Sequence, residues 1–448
     1  MPEVKLLSQR YDVEDAHTLE GYERTGGWKN LRRAFERSPE ENRNLVKDSG
    51  LRGRGGAGFP TGLKWSFVPQ DTGKPIYLVV NADEGEPGTF KDRELMERDP
   101  FSLVEGIIAS AYALNSPRSF IFIRGEYVFP GIRVEEAIYA AHKAGWLGEN
   151  IQGTGFSHHI TLHYGAGAYI CGEETALLEA LEGRRGQPRL RPPFPAVAGL
   201  YASPTVINNV ESVTAAGYIM GQDSPDWYKQ WGTEKAPGTK LMCISGELNR
   251  PGNYEIELGM SARDVIEELG GGVVDGRPVK FWAPGGSSTP ILTADHLDLG
   301  MDYESIAEAG SMLGTGALMV FSDRTSVVEA GLNWLRFYEH ESCGKCTPCR
   351  DGGYWMGQTL QRIRDGRGTL GDIDLLVDQS RGIKGRSFCA LADGFSGQIP
   401  QMIKYFRNEF VELVENGRVG DHIVPHVGPV VSNAQADRPN LMVGTGNV

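Results

Sequence analysis

Three cysteines, Cys343, Cys346 and Cys349, stand in the run Glu341-Ser342-Cys343-Gly344-Lys345-Cys346-Thr347-Pro348-Cys349-Arg350, and the sequence has no comparable cluster elsewhere. Two successive two-residue gaps let three thiolates converge from one loop onto one inorganic centre, so the path of this loop is constrained before anything else about the fold is known. Zinc sites usually draw ligands from separated cysteine pairs, whereas three close cysteines plus a remote fourth is the habit of iron–sulfur clusters. Left unligated, three crowded reduced thiols would be a reactive liability. The fourth ligand must be Cys171, Cys243 or Cys389. Cys243 sits in the apolar run Leu241-Met242-Cys243-Ile244 and reads as a small core residue. Cys171 lies in a glycine-rich turn with a different task. Cys389 follows the basic stretch Arg381–Phe388 and precedes a helix, surroundings that suit an anionic cluster. Cys389 is therefore expected to complete the set.

A chain of 448 residues exceeds one ordinary core, so two or three domains are expected. Only six cysteines, half of them in one loop, argue for a reducing compartment and against a disulfide framework. The longest apolar stretch, Phe101 to Leu114, is broken by Glu105 and does not reach membrane-spanning length. Met1-Pro2-Glu3-Val4-Lys5 shows no signal or transit character, which gives a cytoplasmic expectation. A net charge of −13 argues against a nucleic-acid partner. Glycine is overused, with 59 residues against a typical share of about 7%; tight turns or backbone pressed against ligands would explain it.

The reading along the chain is α/β with a helical end. Residues 1–50 look helical and solvated. From 51 to 239, short apolar runs at Ile76–Val80 and Ser119–Arg124 alternate with helical segments at Pro100–Ala113 and Ile132–Ala144, as in a layer built on a parallel sheet. Gly186–Pro204 is proline-rich loop. Residues 240–325 read strand (Lys240–Gly246), strand (Gly252–Leu258), helix (Ser261–Leu269), strand (Val279–Ala283), a small β-grasp-like pattern with Ser261 as N-cap and Asp264 approximating a capping box. Helical periodicity dominates 326–420, and 421–448 is an extended tail.

Gly53-Arg54-Gly55-Gly56-Ala57-Gly58 matches G-x-G-x-x-G, but a polar helix precedes it and the strand follows it, the wrong order for a Rossmann fingerprint. On its own chemistry, Leu51–Lys64 carries Arg52, Arg54 and Lys64 and no acid within an acidic chain, so phosphate or dinucleotide contact is favoured over a merely flexible loop. Asn81-Ala82-Asp83-Glu84-Gly85-Glu86 lies at the carboxyl end of the first strand, where ligands of open α/β sheets gather. Its carboxylates suit ribose hydroxyls, flavin N–H groups or an amide; equally, they suit the N-terminus of the helix that follows. His163–Thr175 offers another glycine turn with Tyr169, in which Glu173 and Glu174 fit a first helical turn. Thr205–Ser212 reads as the opening of a further helix, with Asn208 or Asn209 as cap or phosphate contact.

Taken together, Gly53–Gly62, Asn81–Thr89, Tyr169–Leu177 and Glu341–Arg350 closely resemble the flavin subunit of respiratory complex I, the NADH:quinone oxidoreductase of bacteria and mitochondria, in which the mitochondrial member is the 51-kDa subunit. The likeness runs from about 25 to 420. It implies a Rossmann-like FMN domain, a β-grasp (ubiquitin-like) domain and a C-terminal helical bundle carrying a 4Fe-4S cluster. Carried over by motif, Gly53, Arg54, Gly55, Lys64, Asn81, Asp83, Glu84, Gly172, Glu173, Asn208 and Asn209 would hold FMN. Gly56, Phe59, Phe67, Glu86, Tyr169, Glu174 and Phe194 would surround NADH, with Ala57, Arg191 and Ile207 in the same cofactor-binding set. Cys343, Cys346, Cys349 and Cys389 would ligate the cluster. Two positions depart from the family pattern: Arg191 stands where Lys is expected, and Phe90 where a small residue or Cys is.

The resemblance further implies that NADH passes a hydride directly to FMN with no catalytic acid or base, the protein supplying orientation and electrostatics. Electrons would then leave singly through the cluster to a thioredoxin-like 2Fe-2S subunit and further iron–sulfur subunits, and on to quinone. Glu84 and Glu86 would disfavour anionic flavin, and with Glu174 would repel a 2′-phosphate. Membrane association would be indirect, at the cytoplasmic face. Competing readings are the diaphorase subunit of an NAD-linked hydrogenase or formate dehydrogenase, which often carries extra cysteine-rich modules, a non-catalytic iron–sulfur scaffold, and a zinc-binding assembly protein.

Overall fold

The computed structural model describes residues 3–417, so the tail expected at 421–448 lies outside the described residues. Four parallel strands, β1 (Tyr77–Ala82), β2 (Arg118–Ile123), β3 (His159–Tyr164) and β4 (Thr205–Asn209), form one sheet in the order β3-β2-β1-β4. The sequence reading found β1 and β2. It missed β3, and it assigned Thr205–Asn209 to a helix that in fact begins at Val210. β3 is a half-exposed edge strand without an apolar run, and β4 is five residues of mixed character, so neither carries a strong period-2 signal.

The helix Pro100–Leu114 shows why its apolar run is so continuous: every residue but Tyr112 is buried. Asp99 caps it, accepting from Ser102 N at 3.2 Å, and Asn115 ends it in the left-handed region at φ 54°. It packs on the helix Val210–Met220 through facing glycines, where a Cβ on Gly106 would lie 2.6 Å from the Val213 carbonyl oxygen. This is a core helix. Among the described residues, no helix is long and apolar enough to cross a membrane.

The amino-terminal region is helical as expected, at Leu19–Arg24, Lys29–Phe35 and Pro39–Asp48, but it is not solvated. Tyr22, Trp28 and Leu31 are fully buried, and Trp28 stacks on Trp146 at 4.9 Å. The sequence rule undercounted here because these short helices bury single large side chains instead of a long apolar stripe.

A second sheet has the order β6-β5-β9-β7-β8, from β5 (Thr239–Gly246), β6 (Gly252–Glu257), β7 (Val279–Ala283), β8 (Leu292–Thr293) and β9 (Ala317–Ser322). Ser261 Oγ accepts from Asp264 N at 3.0 Å, which is half of the expected capping box. Four helices follow, Val327–Glu341, Thr347–Arg364, Leu370–Ile383 and Leu391–Asn416, and pack into a bundle whose core includes Leu332, Met356, Leu360 and Ile399. The cysteine loop joins the first helix to the second, with Pro348 in the second helix's opening turn.

The two sheets are joined by charges that sequence reasoning did not find. Glu211, Lys91, Lys240 and Arg54 are all essentially inaccessible. Glu211 Oε2 lies 3.0 Å from Lys91 Nζ and 3.3 Å from Lys240 Nζ, while Oε1 accepts from Leu241 N at 2.9 Å. Burial alone would raise the Glu211 carboxyl, but Lys240, Lys91 and Arg54 outweigh it and hold the group below its ordinary range. Burial pushes Lys240 down to about 8. Glu211→Gln should leave these cations poorly compensated and cost about 3–5 kcal/mol, seen as a Tm several degrees lower in a thermal melt; an unchanged Tm would refute this account of the junction.

Candidate functional site

Cys343, Cys346, Cys349 and Cys389 line a single small cavity, together with Ile170, Pro188, Ser342, Ser387 and Leu391. Cys343 and Cys346 come from the loop and Cys349 from the first turn of the helix Thr347–Arg364 that it opens, while Cys389 arrives from just before the last bundle helix. Among the described residues, no three His, Cys, Asp or Glu side chains are grouped to hold one metal ion. Three closely spaced cysteines with a remote fourth suit an iron–sulfur centre better than zinc, whose ligands usually come as separated pairs. Ser342 Oγ is 3.3 Å from Cys349 Sγ, and Phe388 N donates to Cys346 Sγ at 3.4 Å. Such contacts to sulfur tune an iron–sulfur centre. Burial pushes the Cys389 thiol up to about 12 and raises Cys349, so ligation must displace protons that neutral water would leave in place. The four residues fit an iron–sulfur cluster. The loop is fastened from behind: Gln187 Nε2 donates to the Cys343 carbonyl at 2.9 Å, and Lys345 Nζ to the Pro188 carbonyl at 2.6 Å.

The second half of the site lies at the carboxyl end of β1. Asn81 Nδ2 donates to the Gly172 carbonyl at 2.8 Å, and its Oδ1 accepts from Asp83 N. Asp83 is buried, and its Oδ2 has no hydrogen-bond partner. Burial raises this carboxyl to about 7 against the pull of Arg124. A buried, unpaired carboxylate is costly in a free protein and is suited to a ligand that donates to it, as a flavin or a ribose does. Gly172 stands over it, where a Cβ would be 3.2 Å from the Asp83 carbonyl oxygen. The loop from Gly53 closes on itself, Gly53 N donating to the Phe59 carbonyl at 2.8 Å, with Gly56 and Gly58 at positive φ. Lys64 Nζ bonds Glu174 at 2.9 Å and the Ile207 carbonyl at 2.8 Å. Phe59, Phe67 and Phe194 remain about half exposed. Open glycine backbone, a cation and an unpaired acid fit FMN and a dinucleotide.

Several expected side-chain contacts are engaged elsewhere. The Arg54 guanidinium, expected at the phosphate, bonds Thr239 O and Tyr228 OH at 2.9 Å each, inside the junction between sheets. Glu84, expected beside the flavin, caps the helix Lys91–Arg98, accepting from Asp92 N and Arg93 N at 2.8 and 2.9 Å; the helix-cap alternative holds for this residue. Glu173 likewise caps the helix Glu174–Leu181 through Thr175 N and Ala176 N. Asn209 Oδ1 accepts from Glu211 N at 3.0 Å, an ordinary cap, and Asn208 Oδ1 accepts from Trp65 Nε1. Gly55 leaves room for Asn209, whose Cβ would be 3.0 Å from a side chain there. Glu86 turns toward the other units, accepting from Tyr169 OH at 2.6 Å and from Ser288 N at 2.7 Å. Arg191 pairs with Glu174 at 3.1 Å, so the charge expected at that position is present. Ala57 lies in the exposed tip of the glycine loop. Cys243 is wholly buried, as expected of a core residue, and Phe90 N donates to its Sγ at 3.1 Å.

Three family models match this chain: the Nuo51 FMN-binding domain over 46–217, the SLBB domain over 241–292, and the NADH-ubiquinone oxidoreductase-F iron-sulfur binding region over 329–413. The NADH-quinone oxidoreductase F subunit of Streptomyces coelicolor is 54% identical over 437 residues, 97% of this chain and 95% of that protein. The chain belongs to the F-subunit family of NADH-quinone oxidoreductase. The corresponding protein of Escherichia coli is 45% identical over 432 residues, covering 96% and 97% of the two chains. A crystal structure of an NAD+-reducing [NiFe]-hydrogenase aligns with TM-score 0.80 at 32% identity, covering 92% of this chain and 67% of the other. The membership fixes an FMN-binding α/β unit and an iron–sulfur helical unit, and an NADH dehydrogenase flavoprotein subunit as the enzyme class.

Two outcomes follow from this geometry. Asp83 binds its proton more tightly folded than unfolded, so folding stability is lost as pH rises from the ordinary carboxyl value to about 7. In flavin-free protein, Asp83→Asn should therefore raise the Tm at pH 8 more than at pH 4; equal shifts at both would show that Asp83 carries no buried penalty. Cys389→Ser should remove the reducible iron signal by EPR, and a variant keeping its full signal would exclude Cys389 as ligand.

Proposed function

We propose that this chain is the NADH-oxidising entry of a respiratory complex, handing electrons to a thioredoxin-like 2Fe-2S subunit and, through it, towards quinone. The observation that supports it is one of placement. The turn Tyr169–Gly172 presents Gly172 to Asn81 and Asp83 on one side, and Ile170 to the four-cysteine cavity on the other. Bound FMN would accept a hydride from NADH, and the cluster would take one electron at a time. This chain's residues bind and orient, since hydride transfer itself asks for no acid or base. The backbone of Gly53, Gly55 and Gly56 would approach the phosphate, Lys64 would supply a cation, and Asn81 and Asp83 would address the flavin. Phe59, Phe67 and Phe194 offer exposed faces on which a dinucleotide stacks. We further propose working units at 51–239, 240–325 and 326–420, and attachment to the cytoplasmic face of the membrane through partner subunits.

Glu174 is not a bare charge. Lys64 and Arg191 both pair with it, and Arg191 also lies 3.8 Å from Glu173, so two bases balance two acids. Its discrimination against a 2′-phosphate is correspondingly modest, about tenfold or less in rate. Glu174→Gln should raise NADPH oxidation relative to NADH; an unchanged ratio ends the charge-exclusion idea.

A second reading, the diaphorase-type subunit of an NAD-linked hydrogenase or formate dehydrogenase, is favoured only by the structural likeness above. Nickel, or formate-dependent NAD reduction, in the native complex would support it. The decisive measurement for the first reading is FMN, iron and sulfide per purified chain. One FMN with four of each cluster atom, and a yellow colour bleached by NADH, are expected. A flavin-free brown protein would make it a scaffold, and a colourless zinc protein an assembly factor.

A further inference from the structure

Glu341 ends the first bundle helix, two residues before Cys343. A carboxylate there is doubly misplaced. The helix C-terminus carries partial negative charge, and four cysteine ligands add more when their centre is filled. Its side chain is nevertheless largely enclosed, 17% exposed, and Oε2 accepts a hydrogen bond from Tyr169 N at 3.1 Å. The other oxygen lies 3.4 Å from the exposed His340 ring.

Tyr169 opens the turn that separates the two halves of the site. Its hydroxyl is held by Glu86, and its ring packs edge-on against Phe337, one helical turn before Glu341, at 5.3 Å. The next residue, Ile170, faces the four-cysteine cavity, and the Gly172 carbonyl accepts from Asn81 at the carboxyl end of β1. Ser342, directly after Glu341, touches Cys349 Sγ. One carboxylate thus ties the partition between the two centres to the strap that carries three of the sulfurs.

We infer that Glu341 is a positioning residue for electron transfer, holding the turn Tyr169–Gly172 against the cysteine loop while its charge sets the reducibility of the centre beside it. This rests on the reading of the site as FMN next to an iron–sulfur cluster, and it adds a residue outside the cofactor-binding and ligand sets. The electron leaves reduced flavin and enters the cluster, with NADH as the reductant that the activity already supplies. The fixed negative charge makes the cluster harder to reduce, and the hydrogen bond keeps the spacing between centres short and constant.

The two roles separate in two variants of the full-length holoprotein. Glu341→Gln keeps a carbonyl oxygen for Tyr169 N and loses the charge. It should shift the cluster midpoint potential upward in an EPR redox titration, with cluster reduction after NADH mixing at least as fast as in the parent. Glu341→Ala loses both; its flavin should bleach at the parent rate while the cluster signal grows several-fold more slowly in freeze-quench EPR. Unchanged potential in the Gln variant together with unchanged cluster reduction in the Ala variant overturns the inference. Loss of iron from both variants also overturns it, because Glu341 would then serve only to hold the loop. A parent protein without FMN or iron would instead bring down the underlying reading of the site, which the parent control reports separately.

Discussion

Glu86 is the point on which the separate parts of this molecule agree. It leaves the end of the first parallel strand, accepts from the Tyr169 hydroxyl and from Ser288 N in the second sheet's loop, and lies 3.5 Å from the Tyr338 hydroxyl of the bundle. Taking a carboxylate from water is expensive unless strong donors replace the solvent. Here the donors come from three different structural units, so the penalty is offset only when all three are docked. Burial still leaves the group raised from its ordinary value, which shows that the compensation is incomplete. The close fit around it leaves no slack: a Cβ on Gly286, already at φ 103°, would lie 2.5 Å from the Glu86 carboxylate.

Buried charge is distributed by purpose. The Glu211 cluster, with three cations around one carboxylate, fastens sheet to sheet. Asp83 does the opposite: it is nearly as deep, has one oxygen with no partner, and sits where a cofactor is needed. An ionisable group left unsatisfied at the carboxyl end of a parallel strand marks a place kept for a ligand. Stability is given up there and recovered when the ligand binds.

The parts of this architecture that were legible in the sequence are those with local signatures. The cysteine spacing pointed to the cluster ligands because a loop can converge on one centre only with short, regular gaps. β1, β2 and the buried helix between them were visible as apolar runs. β3 was hidden by its exposure at a sheet edge, and β4 by its brevity. The amino-terminal helices were recognised but not their burial, which depends on Trp28 and Tyr22 meeting Phe101 and Trp146, far along the chain. Motif likeness named Glu84, Asn209 and Arg54, but a motif cannot say which way a side chain turns. Glu84 serves a helix and Arg54 a sheet junction, as only the packed structure reveals. Lys240 and Glu211 carried no signal, since each looks like a solvated charge until its surroundings are assembled, and Glu341 stood in the cysteine motif without a role of its own.

The strap bearing the cluster ligands is moored to its neighbours through backbone oxygens: Gln187 and Arg185 reach the Cys343 carbonyl and Lys345 the Pro188 carbonyl, while Arg350 closes the strap on itself at the Gly344 carbonyl. A peptide oxygen is offered by every residue type, so the mooring itself does not depend on which side chain stands at Pro188. The information resides entirely in the long donors. A lineage could rewrite Pro188 and keep the tether, whereas trimming Lys345 or Gln187 would cast it loose.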